Sequence, residues 1–140
     1  MGRKEARDGA FKMLFQLDIN NNATEQALED YFKEYSYTKA DEAYITDVVK
    51  GVFDNLEKID KLLAEAAKSW TLNRISKVDK AVLRLAVYEM YYREDIPDSI
   101  SVYEAVELAK VYDSPKAGGF VNGLLRGILR KKEEGEAKSE

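Results

Sequence analysis

The 140-residue chain has no cysteine, no histidine and only two prolines. Without cysteine there is no disulfide, no thiolate metal site and no cysteine nucleophile. Without histidine the commonest general base and the commonest transition-metal ligand are missing. No run of about 18 apolar residues occurs, so no transmembrane span and no membrane partner are expected. The N-terminus, Met1 to Arg7, leads into an amphipathic pattern rather than an apolar signal segment, which points to the cytoplasm. Walker, Rossmann and zinc signatures are absent, and Glu104 and Glu107 read as solvated helix charges. An enzyme, a metal site and a cofactor are therefore not expected.

Composition then sets the class. Hydrophobic residues make up 45% and charged residues 34%, as in an ordinary soluble domain. Strand-like alternation is not sustained and helical spacing dominates. Ala10, Phe11, Leu14, Phe15 and Leu17 predict a helix from about Arg3 to Ile19. Thr24 is placed to cap a second helix carrying Leu28, Tyr31, Phe32 and Tyr35. A long apolar series from Tyr44 to Ala66 exceeds a usual helix, so a break is expected around Asn55 to Asp60. Trp70 to Ile75 reads as a connection. Ser76 to Asp79 approximates a capping box and opens a helix to about Tyr92. Ser101 to Glu104 matches the box more closely and is expected to open a helix to about Tyr112. Asp113 to Gly119 reads as a loop, and Phe120, Val121, Leu124, Leu125, Ile128 and Leu129 as a last helix. The expectation is an all-α fold of about seven helices over 1–132, with halves 1–69 and 70–132. The polar tail 133–140 is expected to be disordered.

The net charge of −4 conceals a segregation. Residues 19–66 hold five bases against eleven acids, whereas residues 110–132 hold six bases against Asp113 alone. Arg3, Lys4, Arg7 and Lys12 oppose three acids in residues 1–18. If the first and last helices lie side by side, their cations form one patch. Two readings stay open: solvated charges at helix ends, or a phosphate-binding surface. Phe120, close to Lys116, is either a core residue or a platform on which unpaired bases stack.

Four stretches, in order, resemble the NusB family: Ala6-Arg7 through Leu14 to Asp18; Val78 to Met90; Ile96-Pro97 with Tyr103 to Lys110; and Phe120 to Leu125. The resemblance implies two packed three-helix-type bundles and a bacterial transcription antitermination factor. It implies binding of single-stranded boxA RNA together with the ribosomal protein NusE, within an elongation complex of RNA polymerase and Nus factors. It places the family's basic arm on Arg3, Lys4 and Arg7, an aromatic of the first helix on Phe15, and the Phe-Val-Asn-Gly motif on Phe120 to Gly123. Lys116 would contact phosphate, Phe120 would stack and Asn122 would hydrogen-bond a base edge. Asp79 would contact the partner protein. Glu5 in the arm and Arg126, where an acid is common, depart from the family pattern. The alternative is a helical protein–protein adaptor or homo-oligomer without direct RNA binding; a homodimer is compatible with either.

Overall fold

The computed structural model describes residues 3–20, 24–67 and 74–139. Seven helices and no strand occur among them: α1 (Arg3–Asn20), α2 (Thr24–Glu34), α3 (Lys39–Asp54), α4 (Leu56–Ala67), α5 (Lys77–Tyr92), α6 (Asp98–Tyr112) and α7 (Pro115–Ser139). None is long and apolar enough to cross a membrane. Trp70, the expected joint, lies outside the described residues.

Helix α5 is the hub. Every residue from Ala81 to Met90 is buried, and α1, α3, α4, α6 and α7 all pack on it. Helices α1 to α3 form one bundle and α5 to α7 the other. A single hydrophobic core, from Phe11 and Leu14 through Val48 and Leu83 to Leu125, runs through both. Burial on all sides explains why α5 shows a near-continuous apolar run rather than one stripe. At Gly51, α3 presses so closely on α5 that a Cβ there would enter the Tyr88 ring.

Local chemistry accounts for most boundaries. Thr38 Oγ1 accepts from Asp41 N at 3.1 Å, and Ser76 Oγ accepts from Asp79 N at 3.0 Å, so both are true N-caps. The long third segment breaks at Asn55, whose N–H and side-chain amide both donate to the Gly51 carbonyl, at 3.0 and 2.8 Å.

Three boundaries differ from the sequence expectation. Helix α6 starts at Asp98, so Ser101 is inside it and donates from Oγ to Glu89 instead of capping. Helix α7 starts at Pro115, with Ser114 Oγ accepting from Ala117 N at 3.1 Å. Proline suits the first helical position, where its missing N–H has no intrahelical acceptor. Gly118 and Gly119 are therefore helical, and the loop shrinks to two residues. The last helix also continues beyond Lys132 to Ser139, through the segment expected to be disordered.

Candidate RNA interface

The expected RNA residues separate into a buried set and an exposed set. Arg7 is 5% exposed. Its Nε donates to Glu89 Oε2 at 2.9 Å and its Nη2 approaches Oε1 at 3.3 Å. Glu89, 1% exposed, also accepts from Ser101 Oγ at 2.8 Å and from the Tyr44 hydroxyl. One carboxylate thus ties α1, α3, α5 and α6 together. Burial pulls the Arg7 pKa down, but hydrogen bonding and attraction from Glu89 outweigh it and the net shift is upward. Arg7 is an internal fastener: its Nε and Nη2, expected from the sequence to reach RNA phosphate, are instead engaged by Glu89. Arg3 is half-committed, 3.6 Å from Asp41 and 4.5 Å over the Tyr44 ring.

The exposed set spans α1 and the start of α7. Lys4 and Lys116 are exposed; Phe15, Phe120 and Asn122 are half-buried. Tyr112, at the end of α6, joins the two regions. Its ring lies 4.9 Å from Phe11, and its hydroxyl donates to Asp8. Lys116 follows four residues later, and Phe15 sits one turn along α1 from Phe11. A groove of about 1200 Å³ runs between α1 and α2, lined by Lys4, Phe11, Phe15, Tyr31, Tyr35 and Tyr112. The groove also carries Glu5, Asp8, Asp30 and Glu34, so its α2 side is acidic. Gly9 lets α2 approach, because the Tyr31 and Tyr37 hydroxyls occupy the space a Cβ would need.

Asp79 is 6% exposed and its Oδ1 has no hydrogen-bond partner. Burial, and then the neighbouring Asp113 carboxyl, push it up to about 7. Asp113 is exposed and accepts from Ser76 Oγ at 3.2 Å. Asp79 therefore lies beneath the surface, with Asp113 as the outer member of the pair. Among the described residues no group of three or more His, Cys, Asp or Glu side chains is placed to hold a metal ion.

The sequence profile of the NusB family matches residues 4–130. The chain belongs to the NusB family. It is 46% identical over 132 residues to the transcription antitermination protein NusB of Acetivibrio thermocellus, covering 94% of this chain and 91% of that protein. With the NusB of Desulforamulus reducens the identity is 38% over 134 residues, covering 96% and 94%. Among solved structures, T. maritima NusB superposes with a TM-score of 0.87 at 38% identity, covering 97% of this chain and 98% of that one. The structure of antitermination factors NusB and NusE in complex with dsRNA gives 0.84 at 28% identity, covering 92% and 96%.

Within this NusB fold, sequence reasoning missed two features. The first is the pair of buried charges on α5. Arg84 holds Asp60 through Nε and Nη2, both at 2.9 Å, and Asp18 through Nη1 at 3.1 Å. Its sequence signal, like that of Glu89, was a charge inside an otherwise apolar run. The second is the concentration of exposed apolar side chains. Of the six large ones among the described residues, five (Tyr92, Ile100, Tyr103, Val111 and Tyr112) lie on α6 or the end of α5.

Proposed function

We propose that this protein is a non-catalytic RNA-binding adaptor of transcription antitermination, acting in the cytoplasm. Together with NusE it holds a single-stranded boxA-type segment of nascent RNA and supports processive transcription of ribosomal RNA operons by RNA polymerase with its Nus factors. The observation that carries this reading is the likeness, over 92% of this chain, to a chain of the structure of NusB and NusE in complex with dsRNA. Lys4, Lys116 and the outer side of Arg3 contact phosphates, which positions the RNA. Phe15 and Phe120 offer ring faces to unpaired bases, and Asn122 offers an amide to a base edge. The exposed apolar side chains of α6, flanked by the Asp79–Asp113 pair, form the face for the protein partner.

Gel-shift titration with boxA and scrambled RNA, with and without NusE, tests the reading. Phe120→Ala is expected to reduce the preference for boxA, and Lys116→Ala to weaken both RNAs alike. Absence of RNA retention in every condition would leave only the protein–protein role.

A further inference from the structure

The cations of α7 from Lys116 to Lys132 divide into two sets. Lys131 pairs with Glu65 at 3.4 Å, Lys132 with Asp98 at 2.8 Å, and both fasten α7 to the body. Lys116, Arg126 and Arg130 are exposed, and none pairs with a carboxylate among the described residues. Arg126 makes only a 3.4 Å contact from Nε to Asn122 Oδ1. At 3.6 residues per turn the three cations fall within an arc of about 100°, opposite buried Val121, Leu124, Leu125 and Ile128. They span about 21 Å of helix at 1.5 Å per residue. Between them lie Gly119 and Gly123, where a Cβ would meet nothing, so the backbone there is bare to solvent. Phe120 borders this strip on one side and Asn122 on the other.

We propose that the solvent face of α7, through Lys116, Arg126 and Arg130, is a phosphate-binding track that carries the RNA backbone away from Phe120 toward the C-terminal half of the helix. The proposal rests on the RNA-binding reading above and adds Arg126 and Arg130 to it. Two facts favour RNA over an acidic protein. The cations run in file along the helix, as a chain of evenly charged phosphates requires. The stacking and base-edge candidates also flank the same strip, so a phosphate on the track leaves its base beside one of them. The N-terminal arm supplies only part of the charge, from Lys4 and the outer side of Arg3, since Arg7 is internal and Arg3 is shared with Asp41 and Tyr44.

The test uses the full chain with NusE and fluorescently labelled boxA and scrambled RNA, titrated between 50 and 200 mM KCl. It compares wild type, the pair Arg126→Gln with Arg130→Gln, and a charge-matched control, Lys33→Gln with Lys61→Gln. For single strands the logarithm of affinity falls with log salt at about 0.7 per phosphate contact. The arginine pair is thus expected to flatten the slope by about 1.4, for both RNAs. The drop in affinity between 50 and 200 mM then shrinks about sevenfold relative to wild type. The control should keep the wild-type slope. An unchanged slope in the arginine variant overturns the proposal, as does an equal loss in the control, which would reduce the effect to net charge. A lost boxA preference with an intact slope would make the arginines base readers and also overturn the track. If wild type with NusE retains neither RNA, the RNA-binding reading itself fails, and this inference with it.

Discussion

Replacing Arg7 separates an internal role from an RNA-binding one, because the two predict opposite readouts. In Arg7→Ala the Glu89 carboxylate stays buried with only the Tyr44 and Ser101 hydroxyls as donors. Removing one partner of a buried ion pair typically costs about 3–5 kcal/mol, since the remaining charge is left uncompensated. Both members here are at least nine-tenths buried, so solvent screening gives little relief. At a urea m-value of about 2 kcal/mol/M, the midpoint should fall by about 2 M. Arg7→Lys should rescue little, because an ammonium cannot reproduce the forked contact. Combining Arg7→Ala with Glu89→Gln removes the stranded charge, so the double variant should lose about 1–3 kcal/mol less than the two singles together. RNA affinity, measured at low temperature where Arg7→Ala remains folded by circular dichroism, should stay within about twofold of wild type. A variant with an unchanged urea midpoint but a large loss of RNA affinity would refute the reasoning and return Arg7 to the RNA surface.

Two other sites give independent checks. Asp79 is held up to about 7 against an ordinary 3.8, so the folded state binds a proton more tightly than the unfolded chain. The stabilisation tied to that proton is complete below about pH 4 and is lost as pH rises through 7. Its full size is at most about 4 kcal/mol at about 1.4 kcal/mol per pH unit. Asp79→Asn should therefore raise stability at pH 8 by about 1–3 kcal/mol and flatten the decline between pH 4 and 8 in denaturation curves; a variant equally sensitive to pH would count against the pair. Gly51→Ala drives a methyl into the Tyr88 ring and should cost about 1–3 kcal/mol by overpacking. A smaller ring-site residue, Tyr88→Leu, should offset part of that loss in the double variant, and strict additivity would argue against the contact.

The helices were legible because their apolar spacing is local information. The break at Asn55 and the Ser76 cap were readable for the same reason: a few adjacent residues decide them. Ser101 shows where local reading stops. Its Ser-x-x-Glu pattern is a valid cap signature, yet Glu89, twelve residues earlier, takes its hydroxyl. Pro115 and the two glycines after it read as a loop because glycine costs about 1 kcal/mol in a helix interior. Gly118 is tolerated because it packs against the flexible Lys110 side chain, and the rest of α7 is anchored by its buried face. Arg7 was the most misleading residue of the candidate site. A cation near a chain terminus among other cations looks solvated, and its partner is 82 residues away. The exposure of Lys4 and Lys116 is the kind of property an amphipathic pattern does convey.

The assignment of Arg7 to the interior changes how the whole charge distribution works. Of the arm, only Lys4 remains a free cation, and Glu5 stands beside it. The acids of α2 to α4 give that flank a strongly negative field, which disfavours RNA across the groove. Positive potential is left along Lys4, Lys116, Arg126 and Arg130, the last three in file on one helix. Four such contacts correspond to a salt slope of about 2.8, or a loss of about fiftyfold in affinity between 50 and 200 mM salt. A face of that size holds RNA weakly on its own near physiological ionic strength. On the proposed reading, a protein partner seated on the adjoining apolar surface of α6 would add contacts to the same RNA and make the second binding event intramolecular, where effective concentration replaces affinity. The exposed tyrosines of α6 and the sparse cations of α7 are thus complementary features: the stronger the fold's own use of its arginines, the more the RNA site depends on a partner held next to it.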